Sequence, residues 1–200
     1  MTRSKILLIL FAIALLWTGS LFVAPMVIPP GTVTDLDGSA SRVDYPEKWD
    51  SMPVYPRIIY YLGDAQCHQK WYRSFSINGN RMPVDSRVTS IYIGLTLGLF
   101  SAMFALQTSS IRTSIMSIFP SRLRRFIREK IGYTRFIILF SGALVLPLAL
   151  DGAIQLFTAY ESTNPIRVLT GFPFGWISGL IIGVIILSIG GVKKEIRNAK

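Results

Sequence analysis

One cysteine and one histidine occur in 200 residues, and 11 acidic side chains stand against 21 lysines and arginines. A single cysteine, Cys67, excludes an intramolecular disulfide. The usual four-ligand zinc pattern, the His-Glu-x-x-His helix and the phosphate-binding glycine loops are all absent. Charge is scarce as well: 16% of residues are charged, half are apolar and the mean hydropathy is +0.45, outside the mix of an ordinary soluble domain. What the chain has instead is long apolar runs.

Four of these, Ile6–Pro29, Thr89–Gln107, Phe136–Thr158 and Val168–Ile189, approach or exceed the roughly 20 helical residues that span about 30 Å of hydrocarbon. They lead to the expectation of an all-α fold: an integral membrane bundle of four transmembrane helices forming a single membrane domain. The basic start, with Arg3 and Lys5 ahead of an apolar run, also fits a cleaved signal peptide. The run continues for about twice a typical signal core, which favours a retained anchor.

The basic residues gather in three places. Arg3 and Lys5 precede the first run, seven lie between Gln107 and Phe136, and Lys193, Lys194, Arg197 and Lys200 follow the fourth run. These segments hold only two acids, Glu129 and Glu195, whereas the connection 30–88 carries seven basic and seven acidic residues and is neutral. The positive-inside rule then puts both termini and the basic loop 108–135 in the cytoplasm and 30–88 outside, in a multi-pass protein of the cell membrane. Charge beside membrane spans is not the footprint of a nucleic-acid binder, and none is expected as a partner.

Within the outer connection, Pro29-Pro30-Gly31 stops helical structure and Gly31–Ala40 reads as polar loop. A short apolar face between Arg57 and Tyr72 fits an interfacial or re-entrant helix, and Asn78-Gly79 is a turn signal. The expectation is an extracytoplasmic loop layer between the first and second spans. Small residues recur every four positions in the second span (Ser90, Gly94, Gly98, Ala102) and in the fourth (Gly171, Gly175, Gly179, Gly183). Such stripes let helix backbones touch in lipid, either within one chain or in a homo-oligomer built on the fourth span. In the inner loop, Ser117–Lys130 interleaves five basic residues with Ile118, Phe119, Leu123, Phe126 and Ile127, a pattern suited to anionic lipid, although a solvated positive loop explains it equally.

Asp151 is the most informative position, because a carboxylate within a span is costly and is normally partnered or functional. Gln155 lies one turn later on the same face. The alternative is an Asp151 close enough to the interface to be capped by water or an arginine. Beyond it come Glu161, Asn164 and Arg167, part of which reads as helix capping. Cys67, His68 and Arg73 sit together in the outer loop. Thiol and imidazole side by side open the options of a divalent metal or a nucleophile, and a structural histidine is the plainer reading.

Taken in order, Cys67-His68-Gln69, Arg73-Ser74-Phe75, Met82-Pro83, Arg87, Ile91-Tyr92-x-Gly94, Pro147, Asp151-Gly152-x-x-Gln155, Glu161-Ser162-Thr163-Asn164, Arg167 and Thr170-Gly171 resemble the family known as domain of unknown function 2085. The resemblance covers roughly Gly63–Gly183. It implies a multi-helix membrane protein in which the Cys-His-Gln loop and the Asp-Gly to Ser-Thr-Asn segment share one polar site. It also implies a Cys-x-x-Cys pair in many members just before the Ile-Tyr helix, which with Cys-His would make a metal or redox centre. Here Asp85 and Val88 occupy those positions, so the candidate metal ligands reduce to Cys67, His68 and Asp85.

The leading expectation is therefore an outer-face pocket for a small polar ligand, lipid headgroup or metal, with Arg73, Arg87, Asp151, Gln155, Glu161, Asn164 and Arg167 around it. Alternatives are an enzyme acting on a lipid-linked substrate from the same pocket, and a structural or accessory subunit whose polar residues pair only with one another.

Overall fold

The computed structural model describes residues 5–39 and 42–198, with side chains as far as Val192. Arg3, Ala40, Lys200 and the side chains of Lys193, Lys194 and Arg197 lie outside the described residues. The chain is mostly helical, and among the described residues three helices are long and apolar enough to cross a membrane: Lys5–Met26, Tyr133–Phe157 and Asn164–Val192.

Helix α1 (Lys5–Val23) ends in a 3₁₀ turn, Ala24–Met26, at Pro25. The chain then builds a folded cap around α2 (Pro46–Asp50), α3 (Val54–Gln66) and a two-stranded hairpin, β1 (Ser76–Ile77) with β2 (Asn80–Arg81). Asn78 (φ 53) and Gly79 (φ 73) make the hairpin turn in the left-handed region that the Asn-Gly pair favours. Leu36, Trp49, Tyr60 and Met82 fill the cap's core, and Trp49 stacks on Tyr60 at 5.0 Å. Three N–H groups converge on the buried Asp64 carboxylate: Trp49 Nε1 at 2.7 Å and the backbones of Asp44 at 3.0 Å and Tyr45 at 3.1 Å. The side chain of Asn80 fastens the cap to the end of α1, donating to the Pro25 and Pro29 carbonyls and accepting from Val33 N–H, each at 3.0 Å.

Helix α4 (Ser86–Ala102) follows. It starts earlier than the apolar run because Asp85 caps it, its side chain accepting from Val88 N–H at 2.8 Å. It stops earlier because the chain from Met103 to Ala105 tightens into i→i+3 bonds. Its 17 residues measure about 25 Å at 1.5 Å each, short of a full hydrocarbon core. Two short helices, α5 (Ile111–Met116) and α6 (Ser121–Lys130), make the far end, and α7 (Tyr133–Phe157) and α8 (Asn164–Asn198) complete the chain.

The dominant packing is α4 against α8, running parallel. A Cβ placed on Gly94 or Gly98 would strike the carbonyl oxygens of Phe172 or Trp176, and one on Gly175 or Gly179 those of Ile91 or Leu95. Gly171 meets Ser90 and Arg87, and Gly183 meets Ala102. The two stripes of small residues are thus spent on each other inside one chain. Helix α1 joins α4 through the Thr18 and Thr96 hydroxyls, 2.9 Å apart. Helix α7 is the outlier, since Asp151 is its one buried residue. Away from the cap it is held by an aromatic cluster of Phe119, Phe136, Phe140 and Trp176.

Backbone contact at the stripes sets a clear expectation. Gly98→Ala or Gly179→Ala costs about 1–3 kcal/mol through overpacking, whereas Gly142→Ala, with open space around it, is neutral or gains up to about 1 kcal/mol of helix propensity. Thermal unfolding in detergent of the three variants, measured side by side, separates these outcomes.

Candidate functional site

Asp85, at the start of α4, is the first link in a chain of buried and half-buried polar side chains beneath the cap. Its N–H donates to Cys67 Sγ at 3.3 Å. One carboxylate oxygen caps α4, and the other accepts from Arg167 Nη1 at 3.3 Å. Arg167, only 2% exposed in the first turn of α8, donates through Nε to the Ser162 carbonyl at 3.1 Å and through Nη2 to Gln155 Oε1 at 2.9 Å. Gln155 Nε2 donates to Asp151 Oδ2 at 2.9 Å and to Ser162 Oγ at 3.0 Å. Asp151 is ion-paired with Arg87, which also donates to Ser162 Oγ at 2.9 Å.

An unbroken path therefore runs Cys67, Asp85, Arg167, Gln155, Asp151, Arg87. The i, i+4 spacing of Asp151 and Gln155 puts both on the face of α7 that looks toward α4 and α8. A second arm lies nearer solvent, where Arg73 pairs with Glu161 and Tyr72 OH donates to the same carboxylate at 3.0 Å. Asn164 accepts from Ser86 Oγ at 2.9 Å and donates to the Tyr72 carbonyl at 3.3 Å.

Of the ligand-pocket candidates, Arg87, Asp151, Gln155 and Arg167 fall in the buried path, and Arg73, Glu161 and Asn164 in the outer arm. Two contributors escape a reading of the sequence. Ser162 reads as a capping residue, yet its hydroxyl and carbonyl join Arg87, Gln155 and Arg167. Tyr72 closes the short apolar segment that begins at Arg57, and nothing in the sequence marks it as a partner of Glu161.

Cys67 and Asp85 meet, but the three candidate metal ligands do not assemble into one site. His68 is exposed, Asp85 is occupied by its cap and by Arg167, and among the described residues no group of three His, Cys, Asp or Glu side chains is spaced to hold a metal. The Cys67 thiol is pushed up to about 11, first by burial and then by the Asp85 charge. At neutral pH it is protonated and accepts the Asp85 N–H, which disfavours it as a free nucleophile. Val88, where a second thiol would be needed, donates only its backbone N–H, so these residues do not fit a thiol-rich metal or redox centre.

Arg73 holds the Glu161 carboxyl below the usual carboxylate range, chiefly by hydrogen bonding. A lowered folded-state value means that this contact is fully formed above the ordinary carboxylate pKa of about 4.3 and is lost as the pH falls through the lowered one.

The family described as "Predicted membrane protein (DUF2085)" matches residues 67–183, more than half of the chain, from Cys67 through the last glycine of the α8 stripe. An uncharacterised protein of Methanothermobacter thermautotrophicus is 32% identical over 110 residues, covering 54% of this chain and 77% of its own length. An uncharacterised protein of Methanocaldococcus jannaschii is 30% identical over 118 residues, 59% of this chain and 62% of its own length. No solved structure matches.

With its pKa raised and only 3% of its surface exposed, Cys67 is expected to resist a water-soluble maleimide at pH 7 in the folded protein and to react fully once the chain is denatured. Rapid labelling of the native protein, followed by mass spectrometry, would refute the burial and protonation assigned to it.

Proposed function

The chain belongs to the domain of unknown function 2085 family of predicted membrane proteins, and from that premise we propose that it is a four-span protein of the cell membrane with a structural or accessory role. In this reading both termini and the segment 108–135 are cytoplasmic, and the cap lies outside. The charge asymmetry of the connections supports the orientation. Helix α4, short as it is, crosses beside α8, to which it is joined along its length.

The observation that carries the structural role is the closure of the polar network. Three arginines, Arg73, Arg87 and Arg167, face three carboxylates, Glu161, Asp151 and Asp85, in one-to-one ion pairs. Gln155 and Ser162 accept further N–H groups of Arg87 and Arg167, so that all three guanidinium groups are engaged. Asp151 is committed to Arg87 and Gln155, and Glu161 has a lowered pKa, the opposite of what a general acid needs. The network clamps the cap and the loop 158–163 onto the helix ends, and in a water-poor setting such pairs fix one arrangement by making every other one costly.

One observation favours a second reading, an anionic headgroup bound at the same place. The Nε–H groups of Arg73 and Arg87 are buried without an acceptor, and a phosphate oxygen would satisfy either.

A double-mutant cycle separates the two readings. For a clamp, Asp151→Asn costs about 3 kcal/mol by stranding Arg87, and Arg87→Met with Asp151→Leu recovers most of the loss. For a headgroup site, Arg87→Met abolishes co-purification of anionic lipid while stability falls little. Reporter fusions at residues 40, 120 and 200 test the orientation: activity of a cytoplasmic-only reporter at 40 would overturn it.

A further inference from the structure

A different part of the molecule carries a larger unmatched charge. The far end of the bundle is formed by α5, α6 and the start of α7, and Glu129 is the sole acid between residues 108 and 135. On α6 the 100° step of a helix places Arg124, Arg128, Ser121, Arg125 and Arg122 on one arc, with Phe126, Leu123 and Ile127 on the other. Among the described residues, none of these four arginines makes an ion pair. By contrast, every arginine of the polar network beneath the cap is paired.

The apolar arc is divided. Ile127 is buried against the protein, while Leu123 and Phe126 are 41% and 55% exposed. A helix with that division lies along a boundary, with one apolar flank on protein and the other left for lipid. Helix α6 is also tied to the membrane by its connection. Only Ile131 and Gly132 separate it from α7, and Gly132, with φ 83, makes the bend.

Of the clefts that open on the basic arc, two share a wall. One, of about 260 Å³, is lined by Ser121, Arg124, Arg125, Arg128 and Tyr133. The other, of about 300 Å³, lies between α5 and α7 and shares Arg128 and Tyr133 while adding Arg112 and Thr134. Arg112 is oriented by a hydrogen bond from Nη1 to Thr134 Oγ1 at 3.1 Å. Guanidinium forks beside hydroxyl groups are the donor set that takes phosphate oxygens bidentately.

We propose that this double cleft is a binding site for the phosphodiester headgroup of an anionic phospholipid, with Leu123 and Phe126 seated among its acyl chains. Arg124, Arg125 and Arg128 supply the charge, Tyr133 and Ser121 direct hydrogen bonds to the phosphate, and the exposed apolar pair makes the ligand a lipid instead of a free anion. The site is independent of the clamp beneath the cap. It rests on the membrane location of the chain and on the orientation proposed above only for the leaflet it faces, which is the cytoplasmic one.

The test uses the full chain in neutral detergent, with phosphatidylglycerol, phosphatidylcholine or inorganic phosphate added in turn. Bound lipid is counted by native mass spectrometry and stability is followed by thermal unfolding. Phosphatidylglycerol is expected to be retained and to raise the midpoint, whereas phosphatidylcholine and inorganic phosphate do neither. The variant Arg124→Gln/Arg125→Gln/Arg128→Gln, in which Arg125 and Arg128 are exposed, Arg124 is half-buried and none is ion-paired among the described residues, is expected to keep its midpoint in neutral detergent and to bind phosphatidylglycerol roughly 100-fold more weakly. Retention unchanged in that variant, equal retention of the two lipids, or equal protection by inorganic phosphate would each overturn the proposal. The paired variant Arg87→Met/Asp151→Leu is expected to bind phosphatidylglycerol at this site as wild type does, which separates a failure here from a failure of the clamp.

Discussion

Direct backbone contact between α4 and α8 is the constraint on which the rest depends. Hydrocarbon provides no hydrophobic drive to bring two apolar helices together, so association rests on how closely they fit. Glycine at Gly94, Gly98, Gly175 and Gly179 removes the side chains that would hold the helices apart. Once the stripes interlock, the register is set, and it brings Asp85 at the start of α4 to Arg167 in the first turn of α8. The polar network is in this sense a product of helix packing: the glycines choose the register, and the charges at its end are matched to it.

Helix α7 obeys a different logic. Its surface faces outward almost everywhere, and the one residue it buries is a carboxylate. An apolar helix in lipid gains little by burying more leucine, whereas an unpaired carboxylate there is expensive, so a single ion pair can dictate how the helix is placed. With Arg87 on α4 as its partner and Gln155 bridging to Arg167 on α8, Asp151 ties α7 to both members of the glycine pair. The aromatic cluster at the opposite end supplies the second point of attachment.

The parts of this arrangement differ in how far the sequence discloses them. Apolar runs reveal helices because span length and hydropathy are local properties, and Asn78-Gly79 reveals a turn because its left-handed dihedrals are local too. The glycine spacing reveals that backbones come close, but not whether the partner is a helix of the same chain or of another. Asp151 and Gln155 are conspicuous because a polar pair four apart in an apolar run is costly unless it meets polar partners. Ser162 and Tyr72 are not, since serine in a loop and tyrosine near an interface have many uses, and only the tertiary structure selects one. Cys67 beside His68 suggests reactivity, yet burial beside Asp85 removes it, and burial is not written in a dipeptide. The extent of α4 likewise hinges on Asp85 as a cap and on the tightening after Ala102.

The parallel course of α4 and α8 has a topological corollary. Two neighbours pointing the same way cannot be joined by a turn; the polypeptide leaving the end of one has to travel the full length of the pair before it can enter the other. Helix α7 is that return path. Its presence is required by connectivity, whatever it contributes to packing, and a segment with so small a stake in the core is free to keep nearly its whole circumference turned toward its surroundings.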